Sequence, residues 1–381
     1  MTKRSAKKGV PKDITLGQLL DNWIEEDLKP GSMSNGTVEL YQNVVKVIKR
    51  HPICTRRLKT IKSEDLQEFM DLVCFGGKEG DFDSGDGYKK AYAKKPMAVL
   101  NHAFRFAVFP KKYIPHNPMQ NVVIRDRRND MSIFPSESES EKTVTPLTDE
   151  MYMTLVEYLK MHYPYAVLPV RISYYSGLRI GEVAGLTWQD INLEEQYLIV
   201  RRSVTYDTQR HKIQIGTTKR AKKRVVDFGD NLTRILIEAY RLQSENEAKY
   251  GALYNHCFYK KVRDNTRTYF EYYHFDGNTK VTADYHEINF VCRHEDGTLV
   301  RPGSLSSLCW HLAKTLPGYE RFHFHVLRHT YTTNLIAKGA KPKDVQELLG
   351  HSDVSTTMNI YAHTTRESKR ESARLLDNIN E

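Results

Sequence analysis

The chain has 381 residues, and its 57 lysines and arginines exceed its 47 aspartates and glutamates, which leaves a formal net charge of +10. This length is too great for one typical domain and suits two domains, each with its own hydrophobic core. A hydrophobic fraction of 40% excludes a wholly disordered chain, and no apolar run approaches the roughly 18 residues that span a bilayer. The positive surplus favours a polyanionic partner such as nucleic acid, and no membrane partner is expected.

The chain begins with a basic tail at residues 1–14, which contains no apolar signal-peptide core and indicates a cytoplasmic protein. Helical periodicity starts at Thr15 and returns at Ser63, whose hydroxyl suits a helix N-cap. A further helical pattern covers residues 89–109. These patterns predict an all-helical domain over residues 15–124.

A polar stretch at residues 125–147 separates this helical domain from the rest of the chain. It lacks periodicity and contains alternating serine and glutamate at residues 136–141. Such a composition is typical of a linker, and its acidity argues against contact with DNA.

The remaining residues, 148–381, combine helical and strand-like patterns. Thr148 precedes two acidic residues and is a candidate N-cap, and a long helix is predicted from about residue 231 to residue 250. The predicted fold class is therefore mainly α with a small antiparallel β-sheet, an α+β arrangement. The strand-like runs are Tyr197–Ser203, His211–Ile215 and Arg224–Phe228.

The five cysteines are scattered along the chain, which argues against a disulfide framework. His256 and Cys257, together with Cys292 and His294, are residue types that bind zinc, but adjacent ligands fit a tetrahedral site poorly. Ordinary buried thiols are the favoured interpretation, and no metal or other cofactor is predicted.

The stretch Ser176–Trp188 carries the first residues that suggest chemistry. Gly177 permits a tight turn, and a helix that begins near Arg179 would place backbone N–H groups beside a guanidinium, an arrangement that suits phosphate. Glu182 lies one turn further on and could support Arg179 by orienting it. Taken alone, the segment favours the plainer interpretation of a surface arginine–glutamate pair.

Further residues of this kind lie near the C-terminus. His325 and Arg328 are three positions apart and share a helix face, His351 follows a Leu-Gly pair, and Tyr361 lies ten residues later. Each residue is ordinary alone, because most tyrosines, for example, are packed aromatics. A tyrosine hydroxyl with a reference pKa of about 10 needs cationic and basic neighbours to act as a nucleophile. A phosphodiester needs the same neighbours, because its charge must be neutralised in the transition state.

Taken together, these residues resemble the signature of the tyrosine recombinase, or phage integrase, family. That signature is an arginine in a Gly-x-Arg-x-x-Glu box, a His-x-x-Arg box, a Leu-Gly-His box and a tyrosine soon after, and all occur here in this order. The resemblance implies a helical core-binding, SAM-like DNA-binding domain at 15–124 and a catalytic domain at 148–381. It implies a site-specific DNA recombinase, most like integrases of bacterial integrative and conjugative elements, that cleaves and rejoins strands through a 3′-phosphotyrosine intermediate.

The resemblance also implies a role for each residue. Arg179 and Arg328 would clamp the scissile phosphate, because a planar guanidinium offers paired donors where a lysine offers a point charge. His351 would add a third hydrogen bond, and Tyr361 would attack phosphorus. His325 is the candidate that receives the tyrosine proton.

A lysine in a β-hairpin completes the implied set, as the general acid for the leaving 5′-oxygen. Lys219 is the preferred residue, because it lies five residues before Arg224, as in short-hairpin Xer-like members. Lys222 and Lys223 stay open as alternatives that could instead contact backbone phosphates. The phosphotyrosine retains the energy of the broken ester, so the chemistry requires neither ATP nor a metal.

The implied partners are double-stranded DNA, further copies of the chain in a synaptic homotetramer, and, as a candidate, a small basic directionality factor. Residues 251–285 exceed what the family needs, and a surface β-hairpin is the expected form of this insertion. A tail helix near residues 366–380 is expected to dock onto a neighbouring protomer, with docking onto its own domain as the alternative.

Other function classes stay open. A Xer-type resolvase or a topoisomerase-IB-like nicking and closing enzyme would use similar chemistry, and a DNA-binding regulator could retain the fold with a decayed site. The helical domain and the tail favour strand exchange over nicking and closing alone. The intact residue set argues against the regulator.

Overall fold

The computed structural model describes residues 13–31, 33, 35–77, 87–88, 90–125, 145–207, 210–218, 223–264 and 267–350. The chain folds as two compact units, one formed by residues 1–136 and the other by most of residues 137–381. The predicted linker boundary at 125–147 stays a prediction, because most of that stretch lies outside the described residues.

The first unit is helical throughout its described part. Its core is built from the apolar stripes of four α-helices together with apolar residues of the segments that connect them, and Trp23, Phe69 and Phe104 are among its fully buried side chains. Trp23 also donates its indole N–H to Asp27, so the polar end of this buried ring is satisfied. The helices are α1 (Leu16–Trp23), α2 (Asn35–Ile48), α3 (Ser63–Phe75) and α4 (Lys90–Val108).

Helix caps in the first unit follow the local sequence with one correction. Thr15 caps α1 through a reciprocal pair of bonds, because its hydroxyl accepts from the Gln18 N–H and the Gln18 side chain accepts from the Thr15 N–H. Ser63 was predicted to be the N-cap of α3, but it is the first residue of that helix. The Asp65 carboxylate accepts the Lys62 N–H at 2.8 Å instead. The Ser63 hydroxyl donates to the Pro118 carbonyl, which fastens α3 to the end of the unit.

The second unit packs helices around a larger core that includes Leu155, Ile172 and Leu327. Thr148 caps its first helix as predicted, because the Thr148 hydroxyl accepts the Met151 N–H at 3.1 Å. The Leu147 N–H donates to the Thr330 hydroxyl, which joins the start of the unit to a helix near its end. The helices are α5 (Asp149–His162), α6 (Pro164–Ser176), α7 (Ile180–Ala184), α8 (Asp230–Tyr250), α9 (Pro302–Thr315), α10 (His325–Ala337) and α11 (Pro342–Leu349).

Two antiparallel sheets accompany these helices in the described part of the second unit. The strands are β1 (Ile191–Asn192), β2 (Tyr197–Val200), β3 (Arg202–Asp207), β4 (Lys212–Thr217), β5 (Arg224–Asp227), β6 (Asn255–Asp264), β7 (Arg267–Asp276) and β8 (Tyr285–Glu287). One sheet has the strand order β1–β2–β5 and the other β3–β4–β7–β6–β8. A helix-rich chain with small antiparallel sheets confirms the predicted fold class.

The region of residues 251–285 does form a β-hairpin, but it is more than a surface appendage. Its strands β6 and β7 extend the sheet begun by β3 and β4. Cys257 is fully buried and Tyr272 is 8% exposed, and both join Phe290 and Leu299 in a separate core cluster. The base of the insertion therefore contributes to the core, since its apolar residues pack against the sheet instead of facing solvent.

The thiols in this structure are packed side chains. All five cysteines are free and buried, and the Cys257 thiol donates to the Gly297 carbonyl at 3.3 Å. Burial raises the pKa of Cys54 to about 12, so that thiol is neutral at physiological pH. Within the described ranges, no helix is long and apolar enough to cross a membrane.

Candidate active site

A left-handed turn at Gly177 builds the first part of the site. The glycine ends α6 with φ of 64°, a conformation that favours glycine, and a Cβ there would lie 2.6 Å from Cδ1 of Tyr331. The chain then enters α7 with Arg179 as the N-cap residue. Gly177 therefore allows the end of α6 to pack closely against Tyr331 of α10. Arg179, two residues later at the start of α7, lies directly beside this packed turn.

Glu182 lies at the centre of the site and is 3% exposed. Its carboxylate accepts the Arg179 backbone N–H at 3.0 Å and the Arg179 guanidinium at 2.9 Å. Arg224 adds two further donors at 3.0 and 2.7 Å. Burial raises the pKa of Glu182, but hydrogen bonds and charge from Arg224, and then from Arg179, more than offset burial and hold it at about 2. The interpretation of this segment alone as a surface ion pair was wrong, since the carboxylate is buried.

Arg224 was missed as a member of the site, because sequence analysis treated it only as the opening of a strand. It also donates from Nε to the Leu348 carbonyl at 3.1 Å, so it joins β5, α7 and the end of α11. A Cβ on Gly350 would lie 2.9 Å from Arg224 Cδ, which shows how closely this arginine packs under the α11 terminus. The run of basic residues before Arg224 was the signal that could have identified it. Its partners, Glu182 and Leu348, lie 42 and 124 residues away in the sequence, so the run alone does not predict these contacts.

Arg328 is buried on α10, with 2% exposure, and has no carboxylate partner among the described residues. Its guanidinium donates to the carbonyls of Gly177 and Leu349, each at 2.7 Å. Burial, and then the charge of Arg179, lower the pKa of Arg328 to about 9, although an arginine remains protonated at neutral pH. The carbonyls orient the guanidinium without neutralising it, so the site retains uncompensated positive charge.

His325 begins α10 three residues before Arg328 and is exposed to solvent. Its ring meets that of His329 at 4.8 Å in an edge-to-face arrangement. Partial burial, and then the charges of the nearby His329, Arg328 and Arg179, together lower the pKa of His325 to about 4. Solvent screens part of this effect at an exposed ring. The direction indicates a neutral imidazole at pH 7, which can accept a proton.

Three predicted site residues, Lys219, His351 and Tyr361, lie outside the described residues. The chain leading to two of them is described up to Gly350, which ends α11 in a left-handed conformation with φ of 64°. The bond from Arg328 to Leu349 therefore ties the site to the residue two positions before His351.

The candidate lysines lie in the sequence between two described strands. Strand β4 ends at Thr217, which pairs with Arg202, and strand β5 begins at Arg224, which pairs with Val200. Residues 219, 222 and 223 fall between these two pairs in the sequence.

These described residues form a site for an anion. The guanidiniums of Arg179 and Arg224 bond to the carboxylate of Glu182, and Arg328 lies close enough for the charges of Arg179 and Glu182 to act on it. Two of them are immobilised by two or more bonds, so little reorganisation is needed when an anion binds. No group of three or more His, Cys, Asp or Glu side chains in the described ranges could hold a metal ion.

Sequence comparison shows which protein family contains these site residues. The model of the phage integrase family matches residues 146–368, which is more than half of the chain. The chain belongs to the phage integrase family of tyrosine recombinases. The predicted family is thus confirmed, together with the enzyme class of a DNA strand transferase.

Curated relatives of this phage integrase family member match along most of its length. A XerC-like tyrosine recombinase of Caldanaerobacter subterraneus subsp. tengcongensis is 25% identical, over 96% of this chain and 84% of that protein. The transposase of transposon Tn916 from Enterococcus faecalis is 23% identical, over 94% of this chain and 76% of that protein.

Solved structures share the fold of this phage integrase family member. The Tn1549 transposon integrase in complex with transposon right end DNA superposes with a TM-score of 0.65 and 18% identity, over 96% of this chain and 100% of that chain. A lambda integrase dimer bound to a COC′ core site gives a TM-score of 0.54 and 16% identity, over 93% and 97% of the two chains. At these identities the comparison establishes the architecture alone.

Proposed function

We propose that this chain is the site-specific recombinase of a mobile element and that it cleaves and rejoins double-stranded DNA through a 3′-phosphotyrosine. The observation that carries the proposal is the surplus of guanidinium charge around Glu182, with Arg328 buried and unneutralised. A DNA phosphodiester is the anion that these donors fit in shape and charge. The Tn1549 integrase is described bound to transposon DNA, and the Tn916 relative is named as a transposase.

The two arginines would act on the scissile phosphate in different ways. Arg179 is partly exposed, with 32% of its side chain accessible, and Glu182 sets its orientation. Arg328 is held by two carbonyls and forms no ion pair with a described carboxylate, although the nearby Glu182 offsets part of its charge. Negative charge that develops on the non-bridging oxygens would be stabilised by both, and His351 would supply a third donor.

The nucleophilic step transfers the phosphoryl group from DNA to the enzyme. The Tyr361 oxygen attacks phosphorus, the bond to the 5′-oxygen breaks, and a 3′-phosphotyrosine forms. His325 is neutral at pH 7 and would accept the tyrosine proton, and bound phosphate would raise its pKa and strengthen it as a base. Lys219 would give a proton to the departing 5′-oxygen. The 5′-hydroxyl of a second strand then reverses these steps and reseals the backbone.

Replacing Tyr361 with phenylalanine tests the nucleophile directly. A suicide substrate, nicked near the cleavage point, should trap wild-type protein as a covalent adduct, whereas Tyr361→Phe should bind the same DNA and form none. Tyr331 is the matched control, since it is packed among Ile336, Val345 and Leu349, and burial raises its pKa to about 12. If Tyr361→Phe still formed the adduct and Tyr331→Phe did not, the nucleophile would be Tyr331 and not Tyr361.

A topoisomerase-like activity and a Xer-type resolvase are the alternatives to a mobile-element integrase. Both would give the same adduct, so the adduct alone does not separate them. Joining of strands from two different duplexes would exclude simple nicking and closing. The DNA that flanks the coding region separates a mobile-element integrase from a Xer-type resolvase. Terminal repeats would favour the integrase, and a chromosomal dimer-resolution site would favour the resolvase.

The proposal includes an assembly on DNA. Strand exchange requires two cleaved duplexes side by side, and a lambda integrase tetramer is described bound to a Holliday junction. We place this chain in a homotetramer on two DNA sites in the cytoplasm, with a small basic directionality factor as a further partner. Both the helical unit and the catalytic unit would bind the duplex, and the segment 125–147 would be the linker that joins them. The segment 366–380 would couple neighbouring protomers.

A further inference from the structure

The insertion hairpin has an outer half that extends past the core. Cys257 and Tyr272 are buried at its base, whereas the strands continue outward to Asp264 and Arg267. Alternate residues of a strand point to opposite faces, so this outer half presents two different surfaces. The proposed catalytic roles use neither surface.

On one surface, the paired face, charged side chains have partners. Lys260 forms an ion pair with Asp284 and lies over the Tyr285 ring, and Arg210 pairs with Asp207 at 3.1 Å. Lys212, on the neighbouring strand β4, lies 5.0 Å from the centre of the Tyr273 ring. Positive and negative charges therefore alternate on this face, which leaves little net attraction for a polyanion.

The opposite surface, the cationic face, carries Tyr259, Lys261 and Arg263 from β6 and Phe270 from β7. Lys261 and Arg263 are exposed and form no ion pair with any residue that the structure describes. No aspartate or glutamate occupies this face among the described positions of the outer half. The two cations are alternate residues of one strand, so they stand roughly 7 Å apart on the same side.

Aromatic packing makes this cationic face a fixed surface. The Tyr259 ring meets Phe270 at 5.8 Å edge-to-face and His286 at 5.2 Å, so rings from three adjacent strands interlock beside Lys261. Such cross-strand contacts stiffen a sheet, and the backbone bonds of β6 to its two neighbours hold its register. The cations are consequently presented from a braced strand, which lowers the entropy lost when they bind a ligand.

We infer that the cationic face of the hairpin binds the phosphate backbone of duplex DNA outside the cleavage site. This inference rests on the proposed function, which makes duplex DNA the polyanion that the chain meets. Two unpaired cations on one strand match repeating backbone charge, and they require no base sequence. An acidic protein surface is the competing partner, and the experiment separates the two.

The test compares two charge-matched double variants of the full chain. Lys261→Ala with Arg263→Ala removes both cations of the cationic face, and Lys212→Ala with Lys260→Ala removes two cations of the paired face. Affinity for a linear duplex of arbitrary sequence is measured from about 50 to 200 mM salt. Each phosphate contact that is lost makes the plot of log K against log salt less steep by about 0.9. The first variant should lower that slope by about 1.8, so wild type loses about tenfold more affinity over this range. The second should keep the wild-type slope.

Equal slopes for wild type and the Lys261/Arg263 variant would overturn the inference, as would an equal loss in the paired-face variant. Unchanged duplex binding with fewer protein–protein complexes would assign the face to a protein partner and also reject it. Glutamine replacements at the same positions repeat the measurement with side chains of similar length, and circular dichroism verifies the fold. The suicide-substrate adduct is scored separately. Wild-type protein without an adduct refutes the recombinase proposal, whereas an adduct with unchanged slopes refutes only this one.

Discussion

Two buried carboxylates in the second unit are each held by two arginines, yet only one forms a candidate active site. Asp190 pairs with Arg201 and Arg202, both at 2.8 Å, and also accepts the Thr187 hydroxyl. Glu182 is held in a similar way by Arg179 and Arg224. A buried carboxylate that is bound by two arginines therefore occurs twice, at positions 182 and 190 of the sequence.

The difference between the two clusters is a third guanidinium. Arg328 lies close enough to Arg179 and Glu182 to be influenced by their charges, and within the described residues its guanidinium bonds to carbonyl oxygens alone. No comparable cation accompanies Asp190 among the described residues. A carboxylate with two arginines thus stabilises the fold, whereas an additional cation without a counter-charge prepares a site for an anion.

The largest expected effect comes from removing the central charge of each cluster. Glu182→Gln should lower the free energy of unfolding by about 3–5 kcal/mol, because Arg179 and the mostly buried Arg224 lose their counter-charge. Asp190→Asn should cost less, since 38% and 24% of the side chains of Arg201 and Arg202 are accessible. Urea unfolding measures both. A larger loss for Asp190→Asn would contradict this ranking.

The next effect separates catalysis from stability. Arg328→Lys should slow cleavage by about 10²–10³-fold, because one ammonium cannot keep both carbonyl bonds and still present paired donors to phosphate. Arg202→Lys is the matched control in the other cluster, and its folded protein should cleave at nearly the wild-type rate. Single-turnover cleavage of the suicide substrate measures both variants. Similar losses in the two would remove the distinction between the clusters.

The smallest effect is a pH dependence confined to the Glu182 cluster. The folded-state pKa of Glu182 is about 2, below its ordinary value of 4.5, so its stabilising contribution is present above pH 4.5 and declines as the pH falls towards 2. The contribution amounts to about 3 kcal/mol. The difference in unfolding free energy between wild type and Glu182→Gln should therefore shrink below pH 4.5. A difference that stays constant down to pH 3 would show that the carboxylate charge does not matter.

Local sequence patterns were sufficient for the family, the fold class and much of the helical framework. The Thr148 cap, the turn at Gly177 and the placement of Arg179 at the start of a short helix depend on neighbours within a few residues, so the sequence predicts them. Ser63 shows the limit even at short range. Its hydroxyl bonds to a carbonyl 55 residues away, and Lys62 takes the capping position, where its N–H donates to Asp65.

The order of the motifs in the sequence by itself determined the kind of chemistry, because each box places its residues on one turn or one helix. Tertiary structure alone decided which of them are buried and which remain charged without a partner. Arg224 reaches Glu182 across 42 residues and Leu348 across 124, and Arg328 reaches Gly177 across 151. Such contacts depend on how whole elements pack, and no local periodicity records them. The charge balance of the site is therefore a property of packing.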